Sequence, residues 1–149
     1  MDKLIIGYTS GVYDLLHIGH INLLRNAKSM CDKLVVGVST DKLVKKYKNK
    51  MPVIPFNDRI EMIKSIKYVD AVIPQEDMDK LKICKKINAS VVFVGDDWYG
   101  TEKWTKIENQ LNKNGIRVIY LPYTKDVSST KIINKIINLK RGCCNEKGW

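Results

Sequence analysis

Tyr8-Thr9-Ser10-Gly11-Val12-Tyr13-Asp14-Leu15-Leu16-His17-Ile18-Gly19-His20 decides how the rest of the chain reads. An apolar run, Leu4-Ile5-Ile6, leads into it, and Ile18, Ile21, Leu23, Leu24 and Ala27 leave it at helical spacing. The stretch therefore predicts a strand, a glycine turn and the first turn of a helix. In that geometry free backbone N–H groups and the positive end of a helix dipole face an anion. His17 and His20 stand three apart across the helix start, which puts both rings on one face. Gly19 has no side chain, so a ligand can approach the backbone. Two imidazole donors over a helix N-terminus would cradle a phosphate. The same pair also fits two capping or core histidines, and these residues alone do not choose. Zinc fits poorly, because these are the chain's two histidines and its four cysteines show no C-x-x-C spacing.

Strand-like and helix-like segments alternate outward from this point. Leu34-Val35-Val36-Gly37-Val38-Ser39 reads as a strand buried on both faces. Ser39-Thr40-Asp41 offers a cap or turn. Lys42 to Lys50, with five lysines in nine residues, reads as a basic loop ending in Met51-Pro52-Val53-Ile54-Pro55. Asn57-Asp58 is expected to cap a helix running to about Lys67. Strands follow at Val69–Pro74, at Val91–Val94 (closing on Gly95-Asp96-Asp97) and at Ile116–Leu121 after the Asn114-Gly115 turn. Helices fall at Asp77–Asn88, at Glu102–Asn112 and from Ser128 onward, the last carrying Ile132, Ile133, Ile136 and Ile137. Residues 1–139 form one domain, and 140–149, with Cys143-Cys144, a flexible tail. Five strands separated by helices predict an α/β fold: a Rossmann-like, doubly wound, five-stranded parallel sheet with helices on both faces. Ligands of such sheets bind beyond the carboxyl ends of the strands, where strand order reverses. The turn from Thr9 to Gly19 lies there if the first strand is central, with loops 41–55, 95–100 and 122–128 beside it.

The chain has 149 residues, enough for one full core. Its 26 basic and 16 acidic residues leave a net charge of +10, which favours an anionic partner: a nucleotide, a nucleic acid or a membrane surface. No stretch approaches 18 apolar residues, so no membrane insertion is expected, and the N-terminal run is too short for a signal peptide. The cysteines make no disulfide framework, which points to a reducing cytoplasm. A basic nucleic-acid-binding module is the reading from another class. It lacks interleaved aromatics and leaves the histidine pair unexplained, so no nucleic-acid partner is expected.

Four separated segments carry one resemblance. Gly11-Val12-Tyr13-Asp14 with His17-Ile18-Gly19-His20 looks like a G-x-F-D…H-x-G-H signature. Gly95-Asp96-Asp97-Trp98 looks like G-D-D-W. Arg59 followed by Lys67-Tyr68-Val69-Asp70 resembles E-x-R…R-Y-V-D, and Tyr123-Thr124-Lys125-Asp126-Val127-Ser128-Ser129-Thr130 falls where R-T-x-G-I-S-T-T is found. In this order and spacing the chain resembles the small cytidylyltransferases, most closely the glycerol-3-phosphate cytidylyltransferase type. It departs from their pattern at Val12 (usually Thr), Lys67 and Tyr123 (usually Arg) and Asp126 (usually Gly). These departures fall where phosphate or acceptor would be gripped, so they bear on the acceptor's identity more than on the reaction type.

The resemblance implies a nucleotidyltransferase domain in which a phosphate oxygen of a phosphorylated alcohol, foremost sn-glycerol 3-phosphate, attacks the α-phosphorus of CTP. Pyrophosphate leaves and a CDP-alcohol forms. A phosphate monoester has a second pKa near about 6, so this nucleophile needs no general base. His17 and His20 are assigned to the α- and β-phosphates, with Lys48 and Ser129 completing the catalytic set; a five-lysine run is otherwise a solvated loop. Ser10, Gly11, Val12, Tyr13 and Gly19 would line the nucleotide site. Lys50, Arg59, Gly95, Asp96 and Asp97 would border it, Arg59 as a phosphate ligand rather than a surface ion pair. Tyr123, Val127, Ser128 and Thr130 would close it, with Ser128 otherwise a plain cap. Lys80 and Trp98 are the acceptor-side candidates, against helix-surface charge and loop packing. Asp14 either anchors the turn or approaches Mg2+, which would enter with CTP. ATP or ribitol-, choline- or ethanolamine-phosphate as substrate is the alternative. A homodimer, with Lys67–Asp70 near its interface, is also implied.

Overall fold

In the computed structural model, which describes residues 3–143, the first strand takes the centre of the sheet. Strand β1 (Ile6–Gly11) pairs with β2 (Lys33–Ser39) on one side and β4 (Val91–Gly95) on the other. Strands β3 (Ala71–Gln75) and β5 (Arg117–Leu121) form the edges, giving the order β3-β2-β1-β4-β5 with every pair parallel. The chain winds outward from β1 to β3, then returns to the far side of β1 with β4. Strand order therefore reverses between β1 and β4, and their carboxyl ends flank a crevice suited to a ligand.

Strand residues alternate between two cores, as period-two geometry requires. Leu34, Val36, Val38, Val91 and Phe93 pack on one face under α1 (Ile18–Lys28) and α3 (Phe56–Lys64), through Leu24, Ala27 and Ile63. Tyr8, Val92 and Val94 pack on the other under α4 (Lys80–Ile87) and α5 (Glu102–Lys113), through Cys84, Trp104 and Leu111. Close approach of strand to side chain fixes Gly37, where an added Cβ would lie 2.1 Å from the buried Tyr8 hydroxyl. The five-stranded, doubly wound expectation is met.

Several boundaries differ from the sequence expectation. Lys42–Lys50 is not a loop: α2 spans Asp41–Lys48, capped by the Thr40 hydroxyl, with Leu43 and Val44 buried. Lysine is a good helix former, and two adjacent apolar residues suffice to seat so short a helix. Helix α3 begins at Phe56 with Pro55 as its N-cap, so Asn57-Asp58 sits in the first turn rather than capping it. The last helix, α6, spans Ser129–Cys143. It therefore runs through residues 140–143, where a loose tail was expected; 144–149, with Cys144, lie outside the described residues. Among the described residues no helix is long and apolar enough to cross a membrane.

Candidate active site

The turn leaving β1 is strained. Tyr13 and Leu15 both have positive φ, 56° and 49°, a region costly to residues other than glycine and concentrated at functional sites. The turn is held from outside. Both carboxylate oxygens of Asp14 accept backbone N–H bonds across the fold, from Val53 at 2.8 Å and Ile54 at 2.9 Å. The Ser129 hydroxyl, at the start of α6, donates to the Asp14 carbonyl. Asn22 on α1 donates to the Thr124 hydroxyl, and the Tyr123 N–H donates to Asp96. Four loops from distant parts of the sequence are thus tied at one edge of the sheet.

His17 is the N-cap of α1. Its Nδ1 accepts the Gly19 N–H at 3.0 Å, while Nδ1 of His20 accepts the His17 N–H at 3.2 Å, a reciprocal capping box. The rings stack with centroids 3.8 Å apart. Capping and phosphate donation are therefore compatible. With Nδ1 occupied as acceptor, each neutral ring carries its proton on Nε2, leaving that N–H to donate. Burial lowers the His17 pKa, and burial followed by repulsion from His17 lowers that of His20 to about 4, against a smaller opposing pull from Asp14. Both rings are neutral donors at pH 7. The packing adds a reason for Gly19: a Cβ there would stand 2.8 Å from the His17 ring.

The histidines face a cleft of about 390 Å³ over the β1/β4 crevice. It brings together Ser10, Gly11, Val12 and Tyr13 from the first turn with His17, Gly19 and His20. Gly95, Asp97 and Trp98 border it after β4, Tyr123 and Val127 after β5, and Ser128, Ser129 and Thr130 at the start of α6. Lys48 reaches it from the last turn of α2; burial and the neighbouring Lys50 lower its pKa. Asp126, which replaces the glycine of the resembled motif, adopts a glycine-like φ of 66° and points its carboxylate to solvent.

Other candidates lie outside this cleft. Lys50 and Asp14 line an adjoining groove with Lys48, Ser129 and Thr130. Asp96 holds the Tyr123 backbone instead of lining the cleft. Arg59 is wholly buried: its guanidinium donates to the carbonyls of Ile54, Val12 and Ser39 and to the Asp41 carboxylate at 2.6 Å. So engaged, it braces the site from behind and is not presented to a phosphate. Asp14 is a loop anchor, and among the described residues no three His, Cys, Asp or Glu side chains converge as a metal site.

Lys80 corrects the surface-charge alternative, being 8% exposed and donating to the Ser10 hydroxyl at 2.6 Å. Burial, then repulsion from Lys103, lowers its pKa to about 8. It lines a second cleft, of about 370 Å³, on the other side of Ser10, with Tyr47, Met78, Trp98, Lys103 and Trp104. Tyr47, Lys103 and Trp104 were not anticipated. Tyr47 was hidden in a lysine run read as loop, and the other two carry no local signal beyond α5's periodicity.

Comparison with known proteins agrees with this geometry. The model of the family described as cytidylyltransferase-like matches residues 8–135. The glycerol-3-phosphate cytidylyltransferase of Staphylococcus aureus is 41% identical, over 83% of this chain and 89% of its own. The FAD synthase of Thermococcus kodakarensis is 37% identical, over 85% and 88%. Among solved structures, the lipopolysaccharide core biosynthesis protein of Thermoplasma volcanium superposes with a TM-score of 0.69 at 30% identity, covering 84% of this chain and all of that one. The pantoate-beta-alanine ligase of Francisella tularensis, at 17% identity and a TM-score of 0.60, shares the fold. With a family model spanning most of its length and a histidine pair seated at the switch point of its sheet, this chain belongs to the cytidylyltransferase-like family of nucleotidyltransferases.

Proposed function

We propose that the protein transfers CMP from CTP to a small phosphorylated alcohol, foremost sn-glycerol 3-phosphate, releasing pyrophosphate by direct in-line displacement. The observation carrying this reading is the stacked, neutral histidine pair, facing the same cleft as the start of α6. The acceptor phosphate is already ionised near neutral pH, so the protein must align it and stabilise the charge developing at phosphorus. Nε2–H of His17 and His20 would donate to the α- and β-phosphate oxygens, and Lys48 would neutralise the pyrophosphate as it leaves. Ser128, Ser129 and Thr130 would offer hydroxyls and backbone N–H groups from the helix end. Magnesium would arrive with the triphosphate. A homodimer, with Lys67–Asp70 near its interface, belongs to the same proposal.

One observation favours a second reading. The second cleft is rich in Tyr47, Met78, Trp98 and Trp104, a lining suited to a flat, apolar acceptor, and FAD synthases are as similar to this chain as glycerol-3-phosphate cytidylyltransferases are. Release of labelled pyrophosphate from CTP and from ATP, each with glycerol 3-phosphate, ribitol 5-phosphate, phosphocholine, phosphoethanolamine and flavin mononucleotide, separates the two. CTP turnover with a small phosphoalcohol supports the first. ATP turnover with the flavin alone replaces it with the second.

A further inference from the structure

Among the described residues, none covers the C-terminal part of α6. Ile132 and Ile133 are half-buried, but every residue from 134 to 141 is exposed, including Ile136 at 56% and Leu139 at 62%. Ile133 borders a groove with Met51 and Val53, which are themselves 55% and 62% exposed, and Ile137 lies one helical turn further along the same face. The apolar surface of α6 is therefore continuous with that of the loop after α2. Isolated exposed apolar residues need no explanation, but a contiguous set does.

The charge around this face is one-sided. Segments 42–57 and 127–143 together hold nine of the chain's 26 basic residues and none of its 16 acidic ones. Elsewhere the charges nearly balance, 17 basic against 16 acidic. Asp14 in the groove is already engaged by the Val53 and Ile54 N–H groups and Asp126 by Lys131, so the strip keeps an excess of cations that repels its own copy. A nucleic acid would answer the charge but leave the isoleucines in water. An anionic lipid surface answers both, accepting the apolar strip at its boundary and pairing its headgroups with the lysines. We propose that the protein docks on anionic membranes through the exposed face of α6 and the adjoining loop at Met51 and Val53, lying on the bilayer without crossing it.

The test is co-sedimentation of the full chain with vesicles of phosphatidylcholine alone and of phosphatidylcholine mixed with phosphatidylglycerol. Binding is expected to the mixed vesicles only, weakening as salt is raised. Ile136→Ser/Ile137→Ser and, separately, Lys135→Glu/Lys140→Glu should each weaken it by at least about tenfold. Both variants should keep the melting temperature and the turnover measured without vesicles, since none of these side chains lines the cleft. Failure to bind mixed vesicles would overturn the proposal, as would binding that both variants leave intact. So would a dimer dispersed by Ile136→Ser/Ile137→Ser, or duplex DNA binding lost in the same variants, without vesicle binding; the first would assign the face to a second copy and the second to a nucleic acid.

Discussion

His20 shows how one side chain serves fold and chemistry together. Its folded-state pKa of about 4 lies below the ordinary value of 6.5, so the unfolded chain binds the proton more readily. The stability it contributes is full above pH 6.5 and is lost as pH falls towards 4, by up to about 3 kcal/mol. Denaturant melts at pH 7, 5.5 and 4.5 should show this loss, and His20→Asn should reduce it. Arg59 makes an opposite lesson. A guanidinium bound to three carbonyls and a carboxylate is a brace, so Arg59→Met should lower stability by about 3–5 kcal/mol. A drop in CTP affinity with an unchanged melting curve would return it to the phosphate site. Lys80, with a pKa of about 8, keeps its charge at pH 7 and sheds it above pH 8. The KM for a phosphorylated acceptor should therefore rise between pH 7.5 and 9, and Lys80→Met should raise it at pH 7 and flatten that profile, the two enzymes converging towards pH 9. The HxGH pair, the Ser128–Thr130 hydroxyls and Lys48 could be read from sequence because they are local to helix ends or to a motif. The burial of Arg59 and Lys80 could not, since it depends on partners such as Val12, Ser39 and Ser10 that lie 20 or more residues away.

At the scale of elements, the site is a set of loops laced to a rigid sheet edge. Strands β2 and β4 were legible as continuous apolar runs and the parallel sheet from their alternation with helices, whereas the central place of β1 was a condition that its pairing with both β2 and β4 meets. Helix α2 was not legible, because its polar face dominates its composition and only Leu43 and Val44 anchor it. The cap of α3 was misplaced because Pro55 supplies no side-chain cap that a sequence pattern would reveal. Asp14 is the principal lace. Asp14→Ala should free the N–H groups of Val53 and Ile54, detectable as faster hydrogen exchange across 49–55. Turnover should fall as Lys48 and Lys50 lose their placement, while the magnesium concentration for half-maximal rate stays unchanged. A large shift in that concentration with unaltered exchange would make Asp14 a metal ligand instead.

Over the whole molecule, a parallel sheet that reverses its winding beside β1 collects the ends of α1, α2 and α6 around one cleft, and the histidine caps point the chemistry into it. Fold and reaction class are joined at those caps, so separating capping from donation tests the account most directly. The measurement is pyrophosphate release from CTP with the best acceptor by wild type, His20→Ala and His20→Asn, each with its melting curve. Asparagine can still accept the His17 N–H but carries no group at the Nε2 position. A preorganised donor at phosphorus is worth about 3–4 kcal/mol, so both variants should lose at least about 100-fold in kcat, with His20→Asn keeping nearly wild-type stability. Turnover within a few-fold of wild type in a stably folded His20→Asn would reduce the pair to helix caps and contradict the account.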